Sequence, residues 1–338
     1  MIGKLPSKSS CAQSDIRRLL ASLKREKWDR TPNFEIWLGP RSIARILQRN
    51  HYDLSFWTMP PNEAVTLVNA IGQDAIVCSL SPKLPPRGSI LAPGDLADFL
   101  NKGIDRSAMR TKLQTYLDAT AGTKTGVVVQ IGGPLTQTYM SCGPIPIQSF
   151  MLMLYDQPEL IDQCMGLYTG WTLQIIEAIK DLPFALFYIG DDLCDNSGLM
   201  INPEFVESIW APHYQQIIEA AHATGRPIIC HCCGNQSPVI PYWLKWGVEA
   251  CHPLQAGAND IYDFKKKYGN RLVPVGNISV GLLSSGTTEQ VVLDVQKHLS
   301  ALAQDGGYIV CSDHSIIDSV IPEHFLAMIN TVHRDGIY

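Results

Sequence analysis

The sequence is poor in charge. Only 17% of its 338 residues are Asp, Glu, Lys or Arg, against roughly a quarter in an average soluble domain. Much of the surface, or of a pocket, is therefore expected to be apolar. Basic residues are not in excess. The 27 Lys and Arg face 32 Asp and Glu, for a formal net charge of -5. That balance argues against a nucleic-acid binder, which would carry a basic face. No run of about 18 apolar residues occurs, so no transmembrane helix is expected. Met1 to Ser10 carries two lysines without an apolar segment behind them, unlike a secretory signal. Nucleotide-binding motifs are missing too: no G-x-G-x-x-G follows a strand-like run, and no G-x-x-x-x-G-K-[ST] occurs. There is no linker, low-complexity tract or internal repeat, which points to one domain over 1–338.

Cysteine is what the chain does have. Ten cysteines without an export signal imply free thiols in a reducing compartment, the cytoplasm. Hydrophobic residues make up 46% of the chain, enough for a large core. They fall in eight short runs: Asn33–Trp37, Ala75–Leu80, Val127–Ile131, Phe184–Ile189, Pro227–Cys233, Val248–His252, Leu272–Gly276 and Gly307–Cys311. Helical stretches separate them. A leading helix around Ser14–Lys27 has Ile16, Leu19, Leu20 and Leu23 at helical spacing. Alternation of this kind predicts an α/β fold, a (β/α)8 TIM barrel, with residues 1–31 as an N-terminal helical extension.

A barrel carries its active site at the C-terminal ends of its strands. The first expected strand holds Glu35, and the third ends in Gly132-Gly133. The fourth ends in Asp191-Asp192, the fifth in His231 and Cys233, and the sixth in Cys251 and His252. The seventh ends in Gly276-Asn277, the eighth in Cys311 with Asp313 and His314 just beyond. The stretch Ile228-Ile229-Cys230-His231-Cys232-Cys233-Gly234-Asn235 is the most informative. Strand alternation puts His231 and Cys233 on one face, Cys230 and Cys232 on the other. Imidazole plus thiolate is a favoured ligand set for Zn²⁺. A third ligand is needed: Cys311, across the barrel, is the first choice and Cys251 the second. Three protein ligands leave one position for a substrate. Asp191, Asp192, Glu35 and His314 are candidates for orienting groups or moving protons. Glu35 stands out because an unpaired buried carboxylate is costly. Gly132, Gly133 and Asn277 are candidates for cofactor contact. Plainer readings stand beside these. Cysteines often fill cores, Asp often caps a loop, and His213, His222, His298 and His333 lie on helices as surface residues.

Seven segments then share one order. They are Trp28-Asp29-Arg30-Thr31-Pro32, Gly190-Asp191-Asp192-Leu193, Asn202-Pro203-Glu204-Phe205, His231-Cys232-Cys233-Gly234-Asn235, Gly247-Val248-Glu249-Ala250 with Pro253-Leu254-Gln255, Val275-Gly276-Asn277-Ile278, and Gly307-Tyr308-Ile309 with Asp313-His314. In that order the chain resembles the uroporphyrinogen decarboxylase superfamily along nearly its full length. One wing of that superfamily comprises metal-free decarboxylases with an Arg-rich N-terminal segment. Here the region after Pro32 reads Asn33-Phe34-Glu35-Ile36-Trp37-Leu38-Gly39. The other wing comprises zinc methyltransferases that work with a separate corrinoid protein. They resemble this chain in having His-x-Cys-Gly after the fifth strand and a late cysteine. The implied zinc ligands are His231, Cys233 and Cys311. Cys311 precedes Ser312-Asp313-His314 rather than Gly, which is closer to the O-demethylase enzymes than to the coenzyme M enzymes of this wing.

The resemblance implies methyl transfer between a small substrate, a methyl ether such as a methoxylated aromatic or a thiol, and a corrinoid cobalt. The chain lacks the Asp-x-His-x-x-Gly corrinoid signature. The cofactor is therefore expected on a corrinoid-binding partner docked over the barrel mouth. A homodimer is left open. The alternatives are a metal-free tetrapyrrole decarboxylase, and a non-catalytic zinc scaffold whose fourth ligand is Cys251 or His314.

Overall fold

The computed structural model describes residues 13–100 and 103–338. The expected polar tail at Met1–Ser10 lies outside them. Residues 101–102, inside the expected helical region Gly94–Ala119, do too. A parallel sheet organises the rest. Its ladder strands are β1 (Ala75–Ser79), β2 (Gly126–Gly132), β3 (Leu186–Gly190), β6 (Ile228–His231), β7 (Ala250–His252) and β8 (Val273–Pro274), adjacent in that order. A small antiparallel hairpin, β4 (Cys194–Asp195) with β5 (Gly198–Leu199), follows β3 and was not expected. The strands are short and almost wholly buried, as parallel strands covered by helices must be. Helices begin where proline allows. Pro40, Pro61, Pro134, Pro146, Pro158, Pro203 and Pro322 each take the first helical position, where the missing N–H costs nothing. Asn202 caps its helix, accepting from Glu204 N at 2.9 Å.

The first and eighth expected strands form no regular ladder. Isolated parallel bridges mark them instead: Val275 to Ile309, Ile278 to Ser312, Asn33 to Val310 and Leu38 to Ile316. These carry the sheet onward from β8 to the segment 309–316 and back to 33–38, giving the (β/α)8 arrangement. Side chains explain why the ladders are broken. Between the bridges at Asn33 and Leu38, the Glu35 carboxylate takes the Ser312 N–H at 2.7 Å and the Ser312 hydroxyl at 2.7 Å. On the other edge the Gln73 side chain stands in for a strand. Its Oε1 accepts from Glu35 N at 2.9 Å, and its Nε2 donates to Glu35 O at 3.1 Å and Ala75 O at 3.0 Å. The seam between segment 33–38 and β1 is thus closed by one buried amide.

Below β1, at the opposite end from the strand C-termini, Asp74 is buried between Arg18 (2.8 Å) and Arg30 (3.4 Å). This pins the N-terminal helix Arg17–Leu23 under the barrel. His298 is not a surface residue. It is buried, and its Nε2 lies 3.0 Å from Asn277 Oδ1.

The Gln73 clamp makes a stability prediction. Gln73→Leu keeps the volume but leaves the Glu35 N–H and C=O unpaired. Each such buried group costs about 1–3 kcal/mol. The variant should unfold in urea with a free energy lowered by roughly 3 kcal/mol. An unchanged midpoint would refute the clamp.

Candidate metal and active site

At the end of β6 the chain turns away earlier than expected. The ladder stops at His231 rather than Cys233. Beyond it, Cys233 N donates to Asp192 Oδ1 at 3.2 Å and Gly234 N to Gln255 Oε1 at 3.1 Å. Side chains replace the strand partner, and the thiol swings toward the barrel mouth. Gly234 is required here. Its φ is +71°, and an added Cβ would meet Asp195 O at 2.2 Å, so the turn could not pass the β4–β5 hairpin.

Alternation does what the sequence suggests. His231 and Cys233 share the inner side, with Cys233 Sγ 3.4 Å from His231 Nε2. Asp192 Oδ1 lies 3.3 Å from the same nitrogen. One donor atom each from Asp192, His231 and Cys233 falls within 4.8 Å of the others. Zinc bonds of about 2.0 Å to N or O and about 2.3 Å to S, at tetrahedral angles, give N···S and N···O edges of about 3.5 and 3.3 Å. The observed edges match, so this donor set fits a zinc ion. The charges support one another. Burial would raise the Asp192 carboxyl, but His231 and the Cys233 N–H hold it below its usual range. Burial opposes protonation of His231, yet Asp192 and Cys233 bring it up to about 10. The Cys233 thiol is held down, despite burial, by His231 and by His314 at the rim. A recess of about 470 Å³ opens beside Cys233, lined by Cys194 to Ser197, Gly234 and Gln255.

The two neighbouring aspartates do different work. Asp191 is buried and accepts from Leu135 N (3.1 Å), Thr136 N (2.7 Å) and Trp210 Nε1 (2.9 Å). It holds the start of helix Pro134–Ser141 rather than facing the recess. Burial raises it to about 6 against those hydrogen bonds. Trp210 reaches it from a π-helical turn, Val206–Trp210, a distortion often found beside functional sites. Gly133 exists for the same contact: a Cβ there would sit 2.4 Å from Asp191 Cγ. At Gly132 a Cβ would meet Gln137 Nε2 at 2.4 Å. Both glycines make room for protein side chains. Asn277 likewise serves the fold, donating to Leu254 O at 2.6 Å and meeting His298.

Cys311 does not join the Asp192–His231–Cys233 group. Its Sγ lies 3.3 Å from His252 Nε2 and 3.4 Å from Glu35 Oε2, so the His252 ring separates it from His231. Glu35 is committed to Ser312 and Cys311, and burial raises it to about 7 against those hydrogen bonds. Cys251 faces the other way. It pairs in register with Cys230, whose thiol meets Tyr214 of an outer helix at 3.4 Å. Cys232 packs toward the hairpin, accepting from Leu193 N at 3.3 Å. The nine described cysteines are all free.

In the sequence His252 stands at the end of the sixth expected strand without an assigned role, and Tyr188 is not singled out. His252 Nδ1 is 2.8 Å from His231 Nδ1 and 2.9 Å from Tyr188 Oη. A signal was present. Cys230-His231 and Cys251-His252 are the same dipeptide at the ends of consecutive strands, and in-register parallel neighbours point the same way.

A parallel (β/α)8 fold with acid, imidazole and thiol donors at its strand ends is the architecture of a barrel enzyme. The family model described as uroporphyrinogen decarboxylase (URO-D) matches residues 93–334. The chain belongs to that family. A uroporphyrinogen decarboxylase of Shewanella piezotolerans is 30% identical over 112 residues, 31% of this chain and 31% of that protein. Among solved structures, a methyltransferase from Methanosarcina mazei superposes with a TM-score of 0.69 at 16% identity, covering 95% of this chain and 98% of that one. No helix of the described residues is long and apolar enough to cross a membrane.

The aspartates can be told apart by experiment. Asp191→Ala should lower unfolding free energy by about 2 kcal/mol, since it strips a buried helix start of its acceptor. Asp192→Ala should change it by only about 0.5 kcal/mol. Urea titrations giving the reverse order would contradict these assignments.

Proposed function

We propose that this chain is a zinc-dependent methyltransferase acting between a small methyl donor or acceptor and a corrinoid on a separate protein. The observation that carries the reading is the convergence of Asp192, His231 and Cys233 beside an open recess. His231 and Cys233 would hold the metal. Asp192 is the third ligand that the geometry favours, and Cys311 the one that family resemblance implies. Bound there, zinc supplies Lewis acidity to the oxygen of a methyl ether or to a thiol sulfur. The partner's corrinoid supplies the cobalt that takes or gives the methyl group.

The protein's own residues have defined tasks in this reading. Asp192 Oδ1 holds the Cys233 N–H and so sets where the thiol points. His314 stands at the rim, where it and the Cys233 thiol each favour the other's charged form, and its ring nitrogen can hold a proton for the substrate heteroatom. The hairpin turn Cys194 to Ser197 and Gln255 wall the recess and limit what enters. Glu35, bound to Ser312 and Cys311, braces the seam instead of meeting substrate. Free thiols suit a reducing compartment such as the cytoplasm. The Methanosarcina mazei neighbour is described as a methyltransferase, which accords with this reading. A metal-free decarboxylase is the second reading, favoured by the Shewanella relative. That chemistry needs arginines to grip carboxylates, whereas the groups converging here are acid, imidazole and thiol. A closed zinc scaffold would need a fourth protein ligand; Cys251 faces away, which leaves His314.

Metal analysis of purified protein tests the proposal. Wild type should carry stoichiometric zinc, and Cys233→Ala should lose it. Asp192→Ala against Cys311→Ala identifies the third ligand. Metal-free wild type would sink the reading. Reduced cobalamin offered with a methoxylated aromatic should then gain a methyl group, followed by its absorbance. Coproporphyrinogen formation without metal would establish the decarboxylase instead.

A further inference from the structure

His252 has no role in the reading above, yet it is among the most constrained side chains in the molecule. It is fully buried at the end of β7. Its backbone carbonyl takes Cys232 N at 3.3 Å and Gln236 Nε2 at 2.7 Å. Both ring nitrogens are engaged: Nδ1 with His231 Nδ1 (2.8 Å) and Tyr188 Oη (2.9 Å), Nε2 with Cys311 Sγ (3.3 Å). An apolar residue would fill a core position without needing partners. An imidazole with three polar neighbours is there for its nitrogens.

We propose that His252 is the positioning residue that presents His231 to the metal. The inference rests on the zinc reading and extends it to a residue that reading does not use. A ring nitrogen binds metal only through its lone pair. His231 Nε2 is the atom aimed at Asp192 and Cys233, so its proton must sit on Nδ1. That N–H then donates to His252 Nδ1, which must be bare. His252 therefore carries its own proton on Nε2, directed at Cys311 Sγ. The row Cys311–His252–His231 acquires one direction. A metal-binding histidine usually hands its second N–H to a carboxylate, a carbonyl or water. Here another histidine, itself held on three sides, receives it. Without His252 the His231 ring is free to turn and to carry its proton on the metal-facing nitrogen.

Cobalt(II) is the probe, because its ligand-field and thiolate charge-transfer bands report the donor geometry. His252→Asn and His252→Leu have nearly the same shape, but only Asn keeps an acceptor where Nδ1 stood. His252→Leu should bind Co²⁺ about 10–100-fold more weakly than wild type in competition with a chromophoric chelator, with shifted bands. His252→Asn should recover most of the affinity and the wild-type spectrum. Equal affinity in wild type and His252→Leu would overturn the proposal. So would a His252→Asn variant as weak as His252→Leu. Should His252→Leu fail to fold, wild type alone decides. In the ¹¹³Cd-loaded, ¹⁵N-labelled protein, cadmium should couple to His231 Nε2 with the proton on Nδ1. Coupling to Nδ1 would overturn the proposal. Wild type that binds neither Co²⁺ nor Cd²⁺ would instead remove the zinc reading itself, and this inference with it.

Discussion

The site depends on the two-residue period of a strand. At the end of β6 it separates four consecutive groups into two pairs. His231 and Cys233 turn to the mouth, Cys230 to an outer helix and Cys232 to the hairpin. A slip of one residue would exchange every side chain's face and send the thiols of Cys230 and Cys232 inward. Register is held against that slip by the neighbours. β3 pairs Ile189 with Cys230 and Gly190 with His231, while β7 pairs Cys230 with Cys251 and His231 with His252. The same pairing disposes of Cys251. As the register partner of Cys230 it shares the outward face, so its nearness in sequence to the site never becomes nearness in space.

Much of this was legible because it rests on local rules. Strand alternation, proline at helix starts and the βα rhythm are written in the residues themselves, and the helix Arg17–Leu23 falls inside the stretch Ser14–Lys27 that periodicity marks. The misreadings share a cause. Each concerns a residue whose neighbours are set by tertiary packing and not by the local pattern. Glu35 is separated from Ser312 by 277 positions, so the sequence could say that its carboxylate needs a partner or a task but not that the partner is Ser312. Asp191 and Asp192 are adjacent and chemically alike, yet one caps a helix and the other faces His231. Only the turn after β3 decides which. Gly132 and Gly133 read as ligand contacts because glycine marks close approach. What approaches them is protein. His298 read as a surface histidine on a helix, and Asn277 from a distant strand end made it a buried one.

Side chains supplement the backbone at one seam of the barrel and replace it at the next, and both seams involve Glu35. Its carboxylate takes a backbone N–H of the eighth segment, while its own N–H and C=O go to Gln73. A carboxylate accepting several hydrogen bonds can be buried without a cation. This gives Glu35 a structural occupation that suffices to explain its burial, and it relieves the mechanism of finding a task for it. Cys311 is drawn into the same arrangement through its contact with Glu35 Oε2. The late cysteine is thus braced from behind by the seam and faced in front by His252.

That bracing bears on where a ligand can enter. His231 and Asp192 keep side-chain exposures of 16% and 33%, and Cys233 is half-buried beside the recess, whereas His252, Cys311 and Glu35 are sealed. The row of polar groups therefore has one wet end. A molecule arriving from solvent meets Asp192, Cys233 and His314 first, and the groups behind them are reached only through the His231 ring. Such a gradient separates labour by depth. The outer groups are free to exchange partners with whatever binds, and the inner ones are fixed by contacts that binding does not break. In the zinc reading proposed above, such a donor set would keep its geometry while its outermost position stayed available, the condition that separates a reactive metal site from a closed structural one.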